Sequence, residues 1–142
     1  MKLIDVNLLL YARDEGAPRH TAALAWLERT LSGTETVGFA WAVLLGFVRI
    51  STKRTVFPHP LSPATALDLV DGWLAQPCAT VVHPTEQHAG ILRDLITHVG
   101  TAGNLTTDAH LAALAIEHGA QLCSADADFS RFPGLRWVDP LR

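Results

Sequence analysis

Lys2-Leu3-Ile4-Asp5-Val6 decides the fold: it is a short apolar strand that meets an acid near its C-terminal end and leads straight into a helical stretch. The same alternation continues downstream. After a break at Glu15-Gly16-Ala17, Pro18 suits the first turn of a second helix, whose apolar face is Ala23, Leu24, Leu27 and Leu31. Gly33 stops that helix, and Thr36 to Ala40 reads as a second strand. A helix carrying Leu44, Leu45, Phe47 and Val48 follows. Pro58 and Pro60 enforce a loop, and Ser62-Pro63 is an N-cap with proline at the first helical position. Leu67, Val70 and Leu74 form the expected buried stripe of this helix. Ala79 to His83 is a third strand, Thr85 caps a helix that Gly100 ends, and Asn104 to His118 is a helix closed by Gly119. Ala120 to Ser124 is a fourth strand, and Leu135 to Val138 a fifth.

Strands alternating with helices predict an α/β fold: a central, mostly parallel sheet of four or five strands covered on both faces. The 142 residues suggest one domain over 1–142, with no repeat, linker or low-complexity segment. A chain of this length buries roughly two-thirds of its unfolded surface without disulfide or structural metal. Cys78 and Cys123 stand in no metal-ligand spacing and read as small apolar residues of a reducing compartment. With 49% hydrophobic residues the chain is not disordered. A net charge of -3 excludes a general nucleic-acid coater, so any phosphate contact must come from a local patch. The longest apolar stretch, Val37 to Val48, is too short to span a bilayer, and Asp5 and Asn7 interrupt any signal-peptide core. A cytoplasmic protein without membrane contact is expected.

In open parallel sheets, sites form beyond the C-terminal ends of the strands. Acids stand there. Asp5 ends the first strand, Asp126 and Asp128 follow the fourth, and Asp108 opens the helix that feeds the fourth. Each taken alone has an ordinary reading. Asp108 suits a helix dipole and Asp126 and Asp128 suit a turn. Asp5 is harder to assign that way, since strand-end acids in parallel sheets have little turn chemistry to perform. Several carboxylates converging at one edge repel one another unless cations neutralise them. Oxygen ligands without Cys or a clear His point to Mg²⁺, with Mn²⁺ as a substitute, rather than Zn²⁺. His110 is not a natural partner for Asp108, because positions i and i+2 face different directions on a helix. The other histidines read as surface or capping residues. No GxSxG elbow, GxGxxG turn or phosphate-loop lysine is present.

The chain resembles PIN-domain proteins, specifically the VapC toxins of bacterial toxin–antitoxin pairs, over essentially its whole length. The resemblance rests on Leu3-Ile4-Asp5-Val6-Asn7-Leu8-Leu9, Gly46-Phe47-Val48-Arg49, Gly103-Asn104-Leu105-Thr106-Thr107-Asp108-Ala109-His110-Leu111-Ala112, and Ser124-Ala125-Asp126-Ala127-Asp128-Phe129 followed by Phe132-Pro133-Gly134-Leu135. It implies a three-layer α/β/α PIN-like fold and a Mg²⁺-dependent endoribonuclease that cleaves RNA phosphodiester bonds by a metal-activated water, leaving 5′-phosphate and 3′-hydroxyl ends. It further implies a VapB-like antitoxin partner and a homodimer. Exposed apolar surface for such partners is sought at Trp26, Trp41 and Trp73. By the resemblance Asp5, Asp108 and Asp126 occupy catalytic, metal-binding positions, with Asp128 as an additional acid. Asn7, Thr107 and Ser124 would hold the carboxylates or the water. Arg49, Lys53 and Arg54 are the candidate RNA-binding patch, with Arg13 and Arg19 second.

One position departs from the pattern. Many PIN domains carry a glutamate on the helix after the second strand, and the matching residue is Gly46, with no carboxylate between Glu35 and Asp68. The alternative reading follows from it: a catalytically weak PIN-like module that retains RNA or partner binding.

Overall fold

The computed structural model describes residues 1–142. Five short strands form the sheet: β1 (Lys2–Ile4), β2 (Val37–Phe39), β3 (Ala79–Val81), β4 (Gln121–Cys123) and β5 (Trp137–Val138). Their order is β3-β2-β1-β4-β5, and every pairing is parallel, so the sheet is wholly parallel and uses all five strands. Lys2 lies opposite Val37 on one side and Gln121 on the other. Six helices connect them: α1 (Val6–Arg13), α2 (His20–Leu31), α3 (Trp41–Ser51), α4 (Pro63–Leu74), α5 (His88–Val99) and α6 (Thr106–Glu117).

The strand order reverses at β1. The chain first steps from β1 to β2 to β3, then crosses back to β4 on the other side of β1. Right-handed crossovers in opposite directions place their helices on opposite faces. The helices group accordingly: α1 packs on α2 and α3, α3 packs on α4, and α5 pairs with α6. The sheet between these layers is buried, with Leu3, Ile4, Val37, Phe39, Leu122 and Cys123 all fully enclosed. Gly38 in β2 belongs to this packing. A Cβ there would stand 2.6 Å from Val82 Cγ2 and 3.3 Å from Leu3 Cδ1.

Several local expectations change. β1 stops at Ile4 because Asp5 turns the chain into α1 as its N-cap. Pro18 sits in the turn before α2, which starts at His20. The expected helix from Asn104 divides into a 3₁₀ turn over Gly103–Leu105 and then α6. Thr85 does not cap α5. Its hydroxyl accepts from Gln87 N–H two residues ahead and donates to Glu117. Three leucines assigned to apolar faces are exposed: Leu24, Leu45 and Leu67, the last at 50%. Smaller neighbours take the inward positions, Ala23 on α2 and Ala66 on α4, because closely approaching helices favour short side chains. Ser62 caps α4 as expected, accepting from Thr65 N–H at 3.1 Å. No helix is long and apolar enough to cross a membrane.

Candidate active site

Asp5 leaves the sheet at the reversal point, still tied to β4 by its N–H to the Cys123 carbonyl at 3.0 Å. Its carboxylate is 7% exposed and fully engaged. Oδ1 accepts from Val6 N–H at 2.7 Å, which is the helix cap. Oδ2 accepts from the Ser124 hydroxyl at 2.6 Å and from the Asn7 amide at 3.0 Å. Strand-end acids therefore do have turn chemistry here, contrary to the expectation: Asp5 satisfies an orphan donor of α1.

Ser124 and Asn7 fasten this acid to the β4 side of the site. The Ser124 hydroxyl donates to Asp5 and accepts from Asn7 Nδ2 and from Asp126 N–H, both at 3.0 Å. That uses its one donor and two lone pairs. Asn7 Oδ1 accepts from Ala125 N–H at 3.2 Å. Asp126 then caps the 3₁₀ turn over Ala127–Arg131 through Asp128 N–H at 2.9 Å.

Asp108 comes from the opposite layer. α6 ends close to the start of β4 in the chain, so it runs against the strands and its first turn lies at their C-terminal ends. There Asp5, Asp108, Thr107, Gly46 and Arg49 line one cleft of ≈ 80 Å³, which Val6, Val43 and Ile50 wall on the α1–α3 side. Thr107 is exposed and hydrogen-bonds none of the acids, so it does not share the positioning part played by Asn7 and Ser124.

Charge makes this group distinctive. Burial, followed by repulsion from Asp5, Asp126 and Asp128, pushes the Asp108 carboxyl up to about 6. Burial also raises Asp5 above its ordinary value, against the hydrogen bonds from Ser124, Val6 and Asn7, and the Asp126 charge adds to the rise. A first-turn acid at a helix N-terminus is normally stabilised in its charged form. At Asp108 burial and neighbouring acids outweigh that effect. None of these four acids has a Lys, Arg or His ion-pair partner. An unpaired set of hard oxygen donors suits a hard divalent cation. No three His, Cys, Asp or Glu side chains meet at closed ligand spacing, so the donor set fits a cation by chemistry and charge rather than by a finished coordination sphere.

Gly46 faces this cleft. A Cβ there would meet only Val6 Cγ2, at 3.6 Å, which is ordinary contact. Of the candidate RNA-binding cations, Arg49 lines the cleft, whereas Lys53 and Arg54 lie in the turn beyond α3. Arg19 is committed elsewhere: its guanidinium pairs with buried Asp139 at 3.1 Å and pins the C-terminal segment.

A second polar group went unread in the sequence. His88 Nδ1 meets Glu117 Oε2, and His88 Nε2 meets His110 Nδ1 at 2.9 Å. The Thr85 N–H and hydroxyl complete the carboxylate's shell. Burial pushes Glu117 up, but its hydrogen bonds from His88 and Thr85 prevail and hold it below the ordinary range. Burial and the neighbouring His88 lower His110. The only signal was that His110 and Glu117 are seven apart, on one helical face, with His88 at the start of the preceding helix.

The PIN domain family model matches residues 2–135. The chain is 51% identical to Ribonuclease VapC37 of Mycobacterium tuberculosis over 140 residues, covering 99% of this chain and 97% of the relative. It is 43% identical to Ribonuclease VapC33 of the same species over 142 residues, covering 100% and 99%. Among solved structures, the DNA-bound VapBC of Salmonella typhimurium superposes with a TM-score of 0.69 at 19% identity, covering 98% of this chain and 97% of that one. With its parallel sheet, its acids gathered at the strand-order reversal and these relatives, the chain belongs to the PIN-domain family, among the VapC proteins.

Proposed function

We propose that this chain is the ribonuclease toxin of a toxin–antitoxin pair, a single PIN domain over residues 1–142 that hydrolyses RNA phosphodiester bonds at the cleft lined by Asp5 and Asp108, with Asp126 joined to Asp5 through Ser124. The observation that carries the reading is the cleft that brings Asp5 and Asp108 together from opposite layers, with Asp126 and Asp128 near enough to repel the Asp108 charge and no basic partner for any of the four. The relatives named as ribonucleases align over nearly the full chain. The enzyme is metal-dependent, with Mg²⁺ as the resident ion and Mn²⁺ as its substitute.

Asp5, Asp108 and Asp126 hold the ion, and Asp128 adds charge from the turn behind Asp126. When bound, a divalent cation supplies Lewis-acid polarisation of the phosphoryl oxygen and a hydrolytic nucleophile at neutral pH. The chain's own residues do the rest. Ser124, Asn7 and the Val6 N–H fix both oxygens of Asp5, so this acid cannot swing away as the others adjust. Arg49, in the same cleft as Asp5 and Asp108, binds the phosphate. Lys53 and Arg54 extend the cationic track along the strand. The partners are RNA, a VapB-like antitoxin and a second copy of the chain, in the cytoplasm where RNA is available.

Gly46 favours a second reading, a weak module that binds without cutting, because the cleft has no acid on its α3 wall. Melting curves with added Mg²⁺ or Mn²⁺ separate the two. The nuclease gains several degrees at millimolar ion, and Asp108→Asn loses that gain. A parent that melts at one temperature with and without either ion contradicts the nuclease reading.

A further inference from the structure

We propose that the cavity between the C-terminal ends of α1 and α3 is a nucleobase subsite that takes one unstacked guanine of the RNA held at the acidic cleft; this rests on the ribonuclease reading. The cavity has a volume of ≈ 310 Å³, within the range of small-molecule sites. It continues the seam that forms the cleft. α1 contributes Val6 to the cleft and Leu10 to the cavity, and α3 contributes Gly46 and Arg49 to the cleft and Phe47 and Ser51 to the cavity. On α1 one helical turn, about 5.4 Å, separates the two, and on α3 their residues interleave, Gly46 beside Phe47 and Ile50 beside Ser51. A base next to the scissile phosphate, or one further along, spans that step.

The lining suits a base. Phe57, Leu10 and Leu61 supply accessible aromatic and aliphatic surface of the kind on which unpaired bases stack, with the fully buried Phe47 behind them. Ser51 also lines the cavity. It is 5% exposed, and its Oγ is the buried side-chain polar atom that lacks any partner in this fold. A ligand with a polar edge completes it.

The rim selects the edge. Asp14 and Glu15 are acceptor-only groups, and Asp14 is oriented by Gly16 N–H on its Oδ1 at 3.0 Å. Guanine presents two adjacent donors, its ring N–H and its amino group, which match a carboxylate in bidentate fashion. Uracil, cytosine and adenine do not present that pair. Cations for the flanking phosphates are free of acidic partners: Arg13 lines the cavity, and Lys53 and Arg54 lie in the exposed turn that leads to Phe57. These cations favour RNA over a basic peptide as the occupant.

Fluorescence anisotropy of the full chain in EDTA, with labelled hexauridylate and the same oligomer carrying one central guanosine, reads the subsite without cleavage. The guanosine oligomer is expected to bind about tenfold more tightly, the scale of one stacked base. Phe57→Ala abolishes that difference, and Glu15→Gln with Asp14→Asn removes it while hexauridylate still binds through its phosphates. Melting curves confirm that the variants are folded. Equal binding of the two oligomers by the parent, or a guanosine preference that survives both sets of variants, overturns the proposal. So does an arginine-rich peptide that binds the parent and is lost in these variants while RNA affinity holds. Cleavage of total RNA in Mg²⁺ by the same preparations keeps the two readings apart. A parent that cuts RNA without cavity-dependent preference removes the subsite alone, whereas one that neither cuts nor binds RNA removes both.

Discussion

Asp5 serves the fold and the site with the same two oxygens, one capping α1 and the other held by Ser124 and Asn7. Asparagine is as good an N-cap as aspartate, so Asp5→Asn removes charge while keeping the helix start. Asp108 gives a pH signature. Its carboxyl is raised from 3.8 to about 6, so the folded state binds a proton that the unfolded chain releases earlier. The stabilisation is fully present below pH 3.8 and is lost as pH rises through about 6. With metal chelated, the melting temperature therefore falls across that window, and Asp108→Asn lacks that component of the fall. A parent and variant with superimposable pH profiles would remove the coupling. Gly46 gives a second test. Gly46→Glu places a carboxylate on the bare wall of the cleft and should tighten Mg²⁺, by an amount reduced through repulsion from the other acids. Gly46→Ala controls for helix propensity, worth about 1 kcal/mol. Calorimetric titration should show tighter Mg²⁺ for Glu alone; equal affinities in both variants mean that residue 46 does not reach the ion. The acids were legible in the sequence because carboxylates beside apolar strands stand out. The part played by Ser124 is legible only through the family resemblance, and Thr107 lines the cleft without a hydrogen bond to any of the acids.

At the scale of elements, Gly38 is the sharpest constraint. β2 lies inside the sheet, and the Cβ of alanine would be placed 2.6 Å from the stiff, buried side chain of Val82. Gly38→Ala should cost about 1–3 kcal/mol in urea unfolding, the usual scale for overpacking. A loss below a few tenths of a kcal/mol would show that Val82, just past β3, yields freely. The alternation of strands and helices was readable because apolar runs, Gly stops and the Ser62-Pro63 cap all agreed. Helix faces were less so. Leu67 and Leu24 look like core residues by type, yet Ala66 and Ala23 take the inward positions, since which stripe is buried depends on how closely the neighbouring helix approaches. The beginnings of α2 and α6 were misplaced because a proline turn and a 3₁₀ turn carry the same residues as a helix start.

At the scale of the whole molecule, the tryptophans sort themselves. Trp26 is in the core, and Trp73 packs edge-on against Phe47 with ring centroids 4.8 Å apart. Trp41 is 46% exposed, and Leu45, one turn on, is 61% exposed. That pair forms the face on which the proposed homodimer should close. Trp41→Asp with Leu45→Asp is expected to turn the dimer into a folded monomer by light scattering; an unchanged mass would move the interface elsewhere. The His88–Glu117–His110 chain escaped the sequence for a reason of the same scale: His88 and Glu117 are 29 residues apart and meet only because α5 and α6 lie antiparallel. Cleavage of total RNA in Mg²⁺ by parent and Asp5→Asn, with both melting curves recorded, reads the role of the carboxylates. The parent should cut, and the folded variant should lose at least about a hundredfold in rate, the scale on which metal-assisted hydrolysis depends on its ligands. A folded Asp5→Asn that cuts as fast as the parent would contradict it.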